Sequence, residues 1–247
     1  MIPSNVLAKA ALWVDASVAD TVQFVEGSTV QVQQWLDCRE PDMTVTGESG
    51  AYAYTRLVAY TNVAQHASED VATWFPTYVA AADGANAYLD FGGYGSGQNL
   101  RCHDKRGQET RVENVRLAFA VYGTEDYKWG FLFSEKGSSF VPGNYNVSSF
   151  SATAYWPHLR DSDNTKRIQT GRFRCDREIV NPLTTSLTAG FHLIDFPIPM
   201  GDFHVAGVFD NLGNEGRQGG GRLCEIVLFS VELSEAERVA VENYLYR

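Results

Sequence analysis

Residues 222–229, Arg-Leu-Cys-Glu-Ile-Val-Leu-Phe, are apolar at odd and even positions alike after the first few. Successive side chains of an extended chain point to opposite faces, so such a run must be covered on both sides. A helix start follows it. Ser234 stands where an N-cap belongs, and Glu237 lies three residues on, the spacing of a capping box. Ala236, Ala240, Val241, Tyr244 and Leu245 then share one face at helical spacing. The expectation is a central, doubly covered strand, then a short amphipathic helix that seals one edge of the structure.

Alternation of period two recurs upstream. Val30, Val32, Gln34 and Leu36 oppose Thr29, Gln31, Gln33 and Trp35, and Val115, Leu117, Phe119 and Val121 oppose Arg116, Ala118, Ala120 and Tyr122. Phe173, Cys175, Arg177 and Ile179 oppose Arg172, Arg174, Asp176 and Glu178, which reads as one strand with a buried and a wet face. Glycine-rich clusters at 92–97, 135–139, 211–216 and 219–221 separate these runs. Many short strands with such turns predict an all-β sandwich or barrel. No internal repeat and no linker interrupts the pattern, so 1–247 reads as a single domain. Residues 40–68 are the least regular stretch and read as a long surface excursion.

The net charge of -10 argues against nucleic acid and anionic membrane surfaces as partners. No apolar run reaches the length of a membrane-spanning helix, about 18 residues or more. Met1-Ile2-Pro3-Ser4-Asn5 lacks the basic and apolar regions of a signal peptide. That leaves a cytoplasmic protein or a piece of a longer exported one. None of the four cysteines, Cys38, Cys102, Cys175 and Cys224, forms a CxxC pair. An oxidising compartment would allow disulfides whose pairing the spacing leaves open; the expectation is mostly free, buried thiols.

Four segments in order carry a family resemblance. Ala11-Leu12-Trp13-Val14-Asp15-Ala16-Ser17 and Trp35-Leu36-Asp37-Cys38-Arg39-Glu40 lie in the front half. Tyr88-Leu89-Asp90-Phe91-Gly92-Gly93-Tyr94-Gly95-Ser96-Gly97 and Gly190-Phe191-His192-Leu193 follow, ahead of the closing strand and helix. Together they resemble concanavalin A-like (LamG-type) jelly-roll domains of large exported bacterial surface proteins. The resemblance implies a two-sheet antiparallel jelly-roll sandwich with a short C-terminal helix. It also implies a secreted or cell-surface location within a longer exported protein. Members of that class bind glycans, bind proteins or space other domains, so the fold alone leaves function open.

Catalysis on that fold is commonly glycoside hydrolysis by a Glu-x-Asp-x-x-Glu strand, and this sequence has no such hexad. It also lacks a GxSxG elbow, a phosphate loop and an HExxH motif. Asp176 and Glu178 read as a solvated charge ladder with Arg172 and Arg174. His66, His103, His158, His192 and His204 have no ligand-like spacing, so no zinc site is expected. Calcium is the one cofactor the resemblance keeps in view. Asp161 and Asp163, and Asp210 with Asn211, stand in oxygen-rich turns that could supply it, although such residues also stabilise turns by themselves.

Sugar binding needs an aromatic face and polar groups beside it. Tyr127 with Trp129, and Tyr145 with Trp156 and His158, are the candidates; Trp13 and Trp35 are expected in the core. The reading is a non-catalytic, lectin-like carbohydrate-binding module. A structural or adhesive spacer with a surface-protein partner is the alternative, and a glycoside hydrolase a more distant one.

Overall fold

The computed structural model describes residues 2–39, 55–59, 75–92, 98–104, 106–124, 130–134, 149–150, 173–180, 188–197, 204–209 and 221–246. In chain order the strands are β1 (Ala10–Asp15), β2 (Val22–Phe24), β3 (Val32–Trp35), β4 (Arg56–Ala59), β5 (Thr77–Val79), β6 (Tyr88–Asp90), β7 (Leu100–His103) and β8 (Leu117–Thr124). They continue with β9 (Gly130–Phe131), β10 (Phe133–Ser134), β11 (Ser149–Phe150), β12 (Arg174–Cys175), β13 (Glu178–Ile179), β14 (Gly190–Pro197), β15 (Gly207–Val208) and β16 (Arg222–Phe229). A helical turn at Ser4–Leu7 and a helix at Glu235–Leu245 flank them. No helix among the described residues is long and apolar enough to cross a membrane.

The larger sheet runs β13-β12-β14-β8-β16-β6-β5, and β1 also pairs with β16. The smaller runs β10-β15-β7-β4-β3-β2, and among the described residues β9 and β11 form a two-stranded sheet. Neighbouring strands in both sheets are antiparallel. The chain is thus an all-β sandwich of two antiparallel sheets with a short C-terminal helix, as expected.

One core lies between the sheets. Val14, Ala118, Tyr122, Ile226 and Leu228 of the larger sheet meet Val32, Trp35, Leu57, Leu100 and Val208 of the smaller. A second core lies on the outer face of the larger sheet. There Leu117, Phe119, Val227 and Phe229 pack under Ile2, Val6, Val241, Tyr244 and Leu245. β16 is therefore covered twice, as its composition demands: every residue from Leu223 to Phe229 is buried. β8 is covered twice as well, and its alanines Ala118 and Ala120 belong to the inter-sheet core.

Several expectations need correction. The helix does not seal an edge; it lies across an outer sheet face. Its Ser234–Glu237 capping box is present, but its buried side includes Arg238 and Glu242, while Ala236 is exposed. Residues 173–179 are not one strand. Asp176 (φ 50°) and Arg177 (φ 72°) are both left-handed, and Arg174↔Ile179 and Cys175↔Glu178 pair across them. Two consecutive positive φ values make the tight turn that matches strand twist in a two-residue hairpin. The expected charge ladder is gone with that strand, since Arg174 instead contacts Glu235 and Glu242 of the helix. In β3 the register slips: Gln23 pairs with Gln34 and Phe24 with Val32, leaving Gln33 as an extra residue. Such a bulge reverses the alternation, so Val32 and Trp35 both reach the core. β4 is a strand inside the stretch read as irregular. Trp35 is in the inter-sheet core, whereas Trp13 packs half-buried against the outer one.

Candidate functional site

Phe191 and Tyr246 are the exposed aromatic rings among the described residues, at 41% and 53%. Phe191, the second residue of β14, pairs with Gly123 of β8, and its ring lies across that glycine. A Cβ at position 123 would stand 2.5 Å from a Phe191 ring carbon, so the missing side chain is what lets the ring lie flat. Tyr88 of β6 meets the same ring at a centroid distance of 5.3 Å. The Arg222 guanidinium sits 5.2 Å over Tyr88, and Arg177 sits 5.8 Å from the Tyr246 ring centre. Rings are thus presented in sequence beside cationic groups, with cation–π contacts holding the outer two.

Between Phe191 and Tyr246 opens a cleft of about 280 Å³. Asn86, Asp176 and His192 give it polar walls, and Val121, Leu193 and Leu245 give it an apolar floor. Four strand or turn segments and the helix end converge here. The tight turn between β12 and β13 brings in Asp176. Its Oδ1 accepts from the Leu193 backbone N–H at 2.9 Å, and its Oδ2 lies 2.6 Å from His192 Nδ1. His192 Nε2 faces the Thr188 carbonyl oxygen at 3.1 Å and the Thr188 hydroxyl at 3.2 Å.

Cys175 donates to Asp176 Oδ2 at 3.5 Å. Burial, and then the neighbouring carboxylate, push this thiol up to about 12. The carboxylate stands between thiol and imidazole in this chain of contacts. A nucleophilic cysteine needs its base within hydrogen-bond reach and its pKa lowered, so Cys175 is not built as one. The other cysteines are also free thiols. Cys224 is raised to about 12 by burial and by Asp15 and Glu225. Cys38 is pushed upward by burial first and then by Asp15, Asp37 and Glu225.

Those three acids form a second polar cluster where β1 meets β16. Asp15 accepts from the Ser17 N–H and hydroxyl at 2.7 and 2.6 Å, and Glu225 accepts from Trp13 Nε1 at 2.7 Å. Asp37 is clasped by Arg39 and by the Trp13 N–H. Each carboxylate serves a local structural contact.

The expected ligand residues Tyr127, Trp129, Tyr145, Trp156 and His158 lie outside the described residues. So do the calcium candidates Asp161, Asp163, Asp210 and Asn211. The cleft residues were missed because they are scattered from 86 to 246 and only strand pairing collects them. No family model, curated protein or solved structure matches the chain.

Proposed function

We propose that this chain is a non-catalytic, lectin-like carbohydrate-binding module, and that the cleft between Phe191 and Tyr246 receives the sugar. One observation carries the reading: two exposed rings flank a polar-walled cleft of about 280 Å³. Large aromatic rings are mostly buried, and an exposed group of them beside polar side chains marks a binding surface. A ring offers its face to the C–H side of a pyranose, while Asn86 and Asp176 offer polar groups to the hydroxyls. The volume sits at the lower end of ligand pockets, about 300 Å³ and upward, which suits one terminal sugar rather than a long polysaccharide. Asp176 is the one carboxylate among the described lining residues, and glycoside hydrolysis generally uses two, which supports the non-catalytic reading. The resemblance to concanavalin A-like domains supports it from the side of the sequence. On that resemblance the module belongs to a secreted or cell-surface protein.

The test is a glycan array followed by calorimetric titration. The wild type binds at least one glycan, and Phe191→Ala or Tyr246→Ala weakens binding tenfold or more, about 1.4 kcal/mol. Absence of binding to any glycan at millimolar concentration sinks the reading.

A further inference from the structure

The geometry points to a transition-metal site formed by Cys175, Asp176 and His192, with zinc as the ion it suits. The site does not depend on the glycan reading. Its three donor atoms, a thiol sulfur, a carboxylate oxygen and an imidazole nitrogen, lie within 4.8 Å of one another.

Two structural facts bring them together. Cys175 of β12 pairs with Ile194 of β14, and His192 stands two residues before Ile194. Cys175 and His192 therefore belong to one sheet face as diagonal neighbours. Adjacent residues in a strand would point apart, but the left-handed φ of 50° at Asp176 ends the alternation. The carboxylate consequently comes within 3.5 Å of the Cys175 sulfur.

The spacing fits an ion. Tetrahedral zinc with Zn–S near 2.3 Å and Zn–O near 2.0 Å separates those two donors by roughly 3.5 Å, which is the distance observed. The same geometry puts imidazole nitrogen and carboxylate oxygen roughly 3.3 Å apart. Nδ1 and Oδ2 are now in direct contact at 2.6 Å, so an ion entering between them has to widen that gap by roughly 0.7 Å.

The surroundings orient the donors as metal ligands are oriented. A ligating histidine normally gives its other ring N–H to a carbonyl, which fixes the tautomer and turns the free nitrogen toward the metal. His192 Nε2 faces the Thr188 carbonyl oxygen at 3.1 Å, and Nδ1 faces the site. Asp176 is held by its Oδ1, which accepts from the Leu193 N–H, and so directs Oδ2 inward. Asp176 and His192 also line the cleft, which gives an ion an entry path. Three protein ligands leave a fourth position for water, as in zinc sites that keep an open position. A sulfur, nitrogen and oxygen donor set suits a borderline cation and is wrong for calcium, which takes six to eight oxygens.

Cobalt(II) is the probe, because a thiolate ligand gives it a charge-transfer band. The protein is stripped with chelator and titrated with cobalt(II) alone. The wild type is expected to show that band and tetrahedral visible absorption, saturating at one equivalent and displaced by zinc. Cys175→Ser removes the charge-transfer band, and His192→Ala weakens binding at least tenfold. Zinc raises the melting temperature of the wild type and not of Cys175→Ser. No thiolate band in the wild type, or an unchanged band in Cys175→Ser, overturns the assignment. Neither result bears on the loss of glycan binding in Phe191→Ala, so the two readings fail separately.

Discussion

Asp37 is fully buried, yet it is an acid in a chain of net charge -10. Arg39 is what makes that tolerable. Its Nε donates to Oδ1 at 2.7 Å and its Nη2 to Oδ2 at 2.6 Å, while Nη1 reaches the Ala10 carbonyl oxygen at 2.6 Å. The Trp13 N–H adds a bond to Oδ2 at 3.0 Å, and the Cys38 N–H bonds the Trp13 carbonyl. One guanidinium thus ties β1 of the larger sheet to the residues leaving β3 of the smaller. Arg39→Ala strands the buried carboxylate, and breaking such a pair from one side costs about 3 kcal/mol or more; urea unfolding measures it, and a loss under about 1 kcal/mol contradicts the assigned role. Gly123 works at the same scale with a different readout. Gly123→Ala puts a methyl group into the Phe191 ring. That ring is half in solvent and can swing away, so the expected loss of stability is small, about 1 kcal/mol as for a mild overpacking. Glycan affinity falls about tenfold with it. Unchanged affinity would mean that the flat ring is not the platform.

At the level of elements, the C-terminal helix is anchored to the larger sheet by charge as well as by apolar contact. Arg238 grips Asp195 of β14 with bonds of 2.5 and 2.7 Å, and Arg174 of β12 bonds Glu242 and Glu235 at 2.6 Å each. Asp195 is raised from 3.8 to about 6: burial is the largest cause, Glu242 adds to it, and Arg238 opposes it. A carboxyl group raised on folding favours the folded state fully below its unfolded value and loses that contribution as pH rises through about 6. Wild type should therefore gain stability relative to Asp195→Asn as pH falls from 7 to 4. Parallel urea curves at each pH check it, and a gap that stays flat or moves the other way refutes it. The hydrophobic pattern of the helix could not show this, because Arg238 and Glu242 occupy its buried side as an ionic pair with sheet residues far away in sequence. Its start was legible, because Ser234 and Glu237 cap the helix through contacts only three residues apart. The β12–β13 hairpin failed for a similar reason. Asp176-Arg177 has neither Gly nor Asn to announce a left-handed turn, and the flanking residues mimic an unbroken strand.

Over the whole molecule, legibility followed the range of the interaction. The double cover of β16 could be read directly, since both faces of 222–229 are apolar. The bulges at Gln33 and Cys224 could not, because each is fixed by the partner strand's register. The cleft is the extreme case: Asn86, Val121, Asp176, His192 and Tyr246 share nothing until five segments converge. The same long-range logic sets the last expectation. Sheet sandwiches of this kind can leave outer faces to water, but here Leu117, Phe119, Val227 and Phe229 make that face apolar. Val241, Tyr244 and Leu245 cover it. Each such buried side chain contributes about 1.5–3 kcal/mol, so the three together contribute roughly 5–9 kcal/mol, comparable to the whole stability of a typical domain, about 5–15 kcal/mol. Deleting residues 234–247 also takes Glu235 and Glu242 from Arg174 and Arg238 from Asp195, leaving an uncovered apolar sheet face that carries a charge stripped of its counter-ion. The truncated chain is expected to lose its cooperative thermal transition and to bind a hydrophobic dye at room temperature. If it instead melts sharply within a few degrees of the full chain, the inter-sheet core stands without its outer layer, and the helix is only an ornament on a self-sufficient sandwich.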